Sequence, residues 1–109
     1  MNKYHAKKVT RCGQTFDSQA EYERWLVLYY MEKNGEIRDL RRQVKFELVP
    51  AYPAIGLRAL NYFADFVYSE GGKTVIEDVK GCKTGAAYEL FNAKKKMLYF
   101  RYGLLVQEV

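Results

Sequence analysis

From residue 16 to residue 35, "FDSQAEYERWLVLYYMEKNG" sets Tyr22, Trp25, Leu26, Tyr29 and Tyr30 at i, i+3, i+4, i+7 and i+8. That recurrence draws one apolar stripe along an α-helix. Ser18 and Glu21 ahead of the stripe have the S-x-x-E spacing of a capping box, and Gly35 behind it suits a left-handed stop. The period then falls to two. "EIRDL" and "RRQVKFELV" read as short extended segments, the second setting Val44, Phe46 and Leu48 against Gln43, Lys45 and Glu47. Pro50, Pro53 and Gly56 break the chain into a loop. "LNYFADFVYSE" and "KTVIEDVKG" then form two strands joined at Gly71-Gly72, the signature of a hairpin. Between Thr84 and Tyr102 the helical period returns, with Leu90, Phe91, Met97 and Leu98 on one face and Gly103 as a stop. "LLVQEV" predicts a last strand.

The order αβββαβ predicts an α/β (mixed α+β) fold, a mixed central sheet flanked by helices. A chain of 109 residues suits one domain over 1–109, with no internal repeat and no linker rich in Gly, Pro or Ser. Such a chain buries about two-thirds of its unfolded surface, enough to stand without disulfides or a structural metal.

Charge and rare residues narrow the chemistry. Lys and Arg outnumber Asp and Glu by 18 to 13, a net +5 that favours a polyanionic partner but equally serves solubility. Cys12 and Cys82 form no C-x-x-C pair, and His5 is the single histidine, so a Cys/His zinc site or a Ser-His-Asp triad is not expected. No apolar run reaches the ~18 residues of a membrane span, and "MNKYHAKKV" lacks the apolar middle of a signal peptide. These features predict a cytoplasmic protein with reduced thiols and no membrane partner.

Three charges sit where strands enter the core. Alternation places Asp65 on the face of Phe63 and Val67, and Asp78 and Lys80 on the face of Ile76. Pairing around Gly71-Gly72 would bring Asp65 and Asp78 together from adjacent strands. Two close carboxylates in low dielectric resist ionising together, and a divalent cation such as Mg²⁺ resolves the conflict. With Lys80 beside it, the set matches phosphodiester hydrolysis. A plain solvated Asp78–Lys80 ion pair accounts for the same spacing. Lys94, on the stripe of Phe91, Met97 and Leu98, either snorkels or reaches a phosphate. Lys95 and Lys96, turned toward solvent, with Arg101 and Lys83, would extend a basic surface for DNA backbone contacts. Glu21 is explained by its cap, yet beside Trp25 it can also offer a ligand oxygen.

An acid in the second core strand and D-x-K in the third, within αβββαβ, resemble the PD-(D/E)XK nuclease superfamily and its restriction-endonuclease-like core. "NKY", "FDSQAEYERW", "GEIRDLRRQVKFEL", "ADFVY", "EDVKGCKT" and the lysine-bearing helix resemble a family of small, largely phage-borne members. The resemblance spans nearly the whole chain and is closest in size and plan to Holliday-junction resolvases. It implies a Mg²⁺- or Mn²⁺-dependent DNA endonuclease of phage recombination or replication, with branched DNA a candidate substrate. Asp65 and Asp78 would be metal ligands and Lys80 the electrostatic catalyst, with Glu21 and Lys94 in support and Glu77 as an alternative second ligand. Ala64 stands where the superfamily name has proline. The two-fold character of a junction suits a homodimer. Two other readings remain open: a DNA-binding module that keeps the fold without catalysis, and a protein adaptor whose positive charge is incidental.

Overall fold

The computed structural model describes residues 7–109, so His5 lies outside the described residues. The chain forms β1 (Val9–Arg11), β2 (Gln14–Phe16), α1 (Gln19–Lys33), β3 (Arg38–Val49), β4 (Leu60–Glu70), β5 (Lys73–Asp78), α2 (Ala86–Tyr102) and β6 (Val106–Glu108). From α1 onward this is the expected αβββαβ order, a mixed α+β fold. The β1–β2 hairpin is additional, closed by Cys12 and Gly13, both at positive φ. A non-glycine at the first turn position hid it from the sequence pattern.

The sheet runs β3-β4-β5-β6, antiparallel except for β5 and β6, which are parallel and joined through α2. Gly71 and Gly72 close the β4–β5 hairpin at φ +59 and +80, values that suit glycine. "EIRDL" and "RRQVKFELV" are not separate segments. A register shift between Arg38 and Arg41, with Asp39 at φ +55, carries one strand through both.

Ser18 caps α1 as its spacing predicts, its Oγ accepting from the Glu21 N–H at 3.1 Å. The other half of the box is displaced: Glu21 Oε1 accepts from the N–H of Asp17 at 3.3 Å. At the far end Gly35 N–H donates to Glu32 O and Glu36 N–H to Met31 O, a Schellman stop. The buried face of α1 is Glu21, Trp25 and Leu28, rotated from the expected stripe. Phe16 of the hairpin draws it round, its ring centroid 5.4 Å from that of Trp25, while Tyr30 stays 60% exposed.

Two cores lie on opposite faces of the sheet. Phe66 and Tyr68 pack with Trp25 and Leu28 of α1, whereas Val67 and Ile76 pack with Phe91 and Leu98 of α2. Each fully buried Leu, Ile or Phe contributes about 1.5–3 kcal/mol. Leu90, expected on the buried stripe of α2, is 54% exposed.

Glu77 belongs to the α1 side of this core. It is fully buried, receives Arg24 Nε and Nη2 at 2.7 Å each, and accepts from the Tyr68 hydroxyl. Arg24 is nearer the surface, its side chain 31% exposed against 1% for Glu77. Arg24→Ala leaves a buried carboxylate unpaired and is expected to cost about 3–5 kcal/mol. Glu77→Gln, which leaves a cation able to reach water, should cost less. Urea unfolding of the two variants checks this, and the reverse order of stability would refute the assignment.

Candidate active site

The last β4–β5 pair toward the open end of the hairpin is Phe66↔Glu77, so the next rung would set Asp65 opposite Asp78. The backbone ladder stops there. Instead of a main-chain carbonyl, Asp65 Oδ2 accepts the Val79 N–H at 2.9 Å. The strands part, and the gap opens into a cleft of about 550 Å³ lined by Asp17, Glu21, Asp65, Asp78 and Lys80, with Lys8 and Ser18 at its mouth.

Strict alternation does not place Asp65. Tyr62, Ala64 and Val67 all pack on the α2 side, while Phe66 and Tyr68 pack on the α1 side, so the facing slips by one residue at Asp65. Opposite it in β3, Gln43 takes φ +49. That conformation is strained for a non-glycine residue and commonly marks a functional site. Arg42 and Gln43 consequently both reach toward α1, while Val44 turns back toward α2. Asp65 thus leaves the face of Val67, where alternation had put it, and meets Glu21 of α1.

The carboxylates are densely set. Oxygens of Asp17, Glu21 and Asp65 lie within 4.8 Å of one another, and Asp78 lines the same cleft outside that trio. Gln43 Nε2 bridges two of them, donating to Asp65 Oδ1 at 3.0 Å and Glu21 Oε2 at 3.3 Å. Three acids have a cation each: Lys8 on Asp17 at 2.9 Å, Arg42 on Glu21 at 3.2 Å and Lys80 on Asp78 at 3.4 Å. Asp65 forms no ion pair among the described residues and is held by neutral donors. Arg42 also donates to Gln14 Oε1 and Thr15 O, which fastens the β1–β2 hairpin beside the site.

Burial pushes the carboxyl of Asp78 up to about 6, with the Lys80 ammonium opposing. Asp65 is raised chiefly by burial, against the Val79 and Gln43 hydrogen bonds. Glu21 is raised by burial and then by the charge of Asp65. The Tyr62 hydroxyl donates to Asp78 Oδ2 and fixes that carboxylate. An all-oxygen set of carboxylates suits a hard cation such as Mg²⁺ or Mn²⁺.

Expected site residues separate into two groups. Glu21, Asp65, Asp78 and Lys80 share the cleft. Glu77 does not: it projects to the opposite side of β5 from Asp78, and Arg24 and Tyr68 hold both its oxygens, so it cannot serve as the second ligand. Among the expected DNA contacts, Lys95 turns inward to Glu108 at 2.6 Å rather than toward solvent, because Glu108 of β6 stands beside that turn of α2. Lys83 lies 4.0 Å from Glu108, and Arg101 donates to the Glu47 carbonyl at 2.8 Å and pairs with its carboxylate at 3.4 Å. Lys94 and Lys96 form no ion pair among the described residues. Asp17, Arg42 and Gln43 were missed by sequence reasoning. The signal for Asp17 was its place directly before the capping serine, whereas Arg42 and Gln43 looked like ordinary polar strand positions.

A carboxyl group raised in the folded state binds protons that the unfolded chain has already released. Stability from Asp78 therefore falls as pH rises between about 4 and about 6, and the penalty is complete above about 6, at most about 3 kcal/mol. Glu21 and Asp65 act in the same direction. In chelator, the melting temperature should rise as pH is lowered from 7.5 to 5.5, and Asp78→Asn should weaken that rise while stabilising the protein at pH 7.5. A melting temperature that is flat or falls on acidification in this range would contradict the electrostatics described.

No helix among the described residues is long and apolar enough to cross a membrane. No curated protein and no solved structure matches the chain. A family model does match, over residues 1–108, and the chain belongs to that family, described as protein of unknown function (DUF1064).

Proposed function

We propose that the chain is a divalent-cation-dependent endodeoxyribonuclease that hydrolyses phosphodiester bonds in the cytoplasm, in phage DNA recombination or replication. The observation that carries this reading is Asp65: a buried carboxylate without an ion-pair partner among the described residues, within 4.8 Å of Glu21 and Asp17, in a cleft that also holds Asp78 and Lys80. Asp65 and Glu21, with Asp17 and Asp78 alongside, would hold Mg²⁺ or Mn²⁺. Such an ion supplies Lewis-acid stabilisation of a phosphate and makes a nearby water more acidic.

The remaining work falls to the chain's own groups. Lys80 Nζ sits 4.0 Å from the centre of the Phe91 ring and 3.4 Å from Asp78 Oδ1, which fixes an ammonium at the cleft where negative charge grows on the phosphate. Tyr62 and Gln43 hold Asp78, Asp65 and Glu21 in place before substrate arrives. Lys94 and Lys96 are the basic side chains left for the DNA backbone on α2. A homodimer would give a two-fold substrate two such clefts.

The competing reading is a DNA-binding module in which the acids are structural. It draws on the pairs Lys8–Asp17, Arg42–Glu21 and Lys80–Asp78. One assay separates the two. Four-way junction, flap and linear duplex are incubated with Mg²⁺, Mn²⁺ or chelator, and cuts are mapped. Cleavage should need the metal, Asp65→Asn should reduce it to the level seen in chelator, and Lys80→Ala should slow it about 10²–10³-fold. If none of the substrates is cut, the binding module is the better description.

A further inference from the structure

Pairing of β5 with β4 begins at Phe66, so residues 60–65 of β4 have no strand neighbour on that side among the described residues. Beside this open stretch lies a second groove of about 240 Å³. Its walls include Phe63 from β4, Leu90, Phe91 and Lys94 from α2, and Lys80. Lys80 also lines the acidic cleft, so the two depressions adjoin at that side chain.

The contents of the groove are unusual for a solvated surface. Phe63 is 53% exposed and Leu90 54%, and among the described residues the groove's lining adds two ammonium groups and no carboxylate. The adjoining cleft carries four acids with Lys8 and Lys80 among them, so the acids lie on one side of Lys80 and the aromatic groove on the other. Lys94 has no acidic partner among the described residues, unlike its neighbour Lys95. A flat apolar ring linked to an anion complements an aromatic face flanked by cations, and a nucleotide has that form. In continuous duplex the base faces are already stacked on one another, leaving only groove edges and phosphates to contact. An exposed phenyl ring therefore stacks at least cost on a base that is unpaired, since entering a duplex means unstacking a base step.

We propose that this groove holds an unpaired nucleobase next to the scissile phosphate, stacked on Phe63 with its phosphate on Lys94. The substrate class is then DNA with unpaired nucleotides at the cut, a flap or an open branch point, rather than continuous duplex. Phe63 lies two residues from Asp65 along β4, about 7 Å, which sets the base beside the phosphate at the acids. The inference rests on the nuclease reading for its substrate, but its test reads binding alone.

Affinities for a flap and for a duplex of equal length are measured at one salt concentration in Ca²⁺. The parent protein should prefer the flap. Phe63→Ala should weaken flap binding about 5- to 160-fold, from about 1–3 kcal/mol per stacked base, and leave duplex binding unchanged. Phe63→Trp should retain the preference. Removing the unpaired base to leave an abasic sugar should cost the parent as much as Phe63→Ala does, and cost that variant nothing more. Equal flap affinity of Phe63→Ala and parent, or no affinity for either DNA, overturns the proposal. A change of oligomeric state in Phe63→Ala without loss of flap affinity also overturns it, since a second copy would then cover the groove. This binding pattern without any cleavage in Mg²⁺ would support the groove while counting against hydrolysis.

Discussion

Carboxylate oxygens of Asp17, Glu21 and Asp65 gathered within 4.8 Å, the last two buried, create the dominant constraint on this protein. Two unit charges 4 Å apart repel by about 4 kcal/mol at an effective dielectric of 20. A typical domain is stable by only about 5–15 kcal/mol, so the fold must answer that repulsion locally. Arg42 on Glu21 and Lys80 on Asp78 supply charge. Gln43 and the Val79 N–H supply neutral donors to Asp65. Burial first, and for Glu21 the charge of Asp65 after it, raises the affinity for protons at Glu21, Asp65 and Asp78.

The left-handed residue in β3 is part of this answer. Gln43 at φ +49 sacrifices regular pleating, and in return Arg42 and Gln43 reach the same Glu21 carboxylate from consecutive positions. A regular strand would have pointed one of the two into the opposite core. The β1–β2 hairpin is tied to the same place, because Arg42 bridges it to Glu21 and lies 3.8 Å from the centre of the Phe16 ring. Hairpin, first helix and central sheet meet around one guanidinium.

Adjacent acids with different roles show how burial sorts chemistry. Glu77 and Asp78 are both nearly inaccessible, at 0% and 3% exposure. Glu77 has a bidentate arginine and a tyrosine, which satisfies its charge and makes it part of the core. Asp78 has a tyrosine and a single lysine at 3.4 Å and opens onto the cleft. Differences in partners, rather than in burial, separate a structural carboxylate from a chemically available one.

Much of this was legible from sequence. Local rules with short reach set the Ser18 cap, the Gly35 and Gly103 stops, the Gly71-Gly72 hairpin and the order of helices and strands. The D-x-K spacing also anticipated the Asp78–Lys80 pair, although β5 ends at Asp78 and Lys80 lies just beyond it. Sequence could not decide what depends on contacts between distant segments. The slip in facing at Asp65 arises from a strained residue 22 positions away. Glu77 and Lys95 were captured by Arg24 and Glu108, partners 53 and 13 residues distant. Asp17 became a neighbour of Asp65 only when α1 docked on the sheet. Periodicity reports which way a side chain leaves its own element, and only the packed structure decides which charge it finds there.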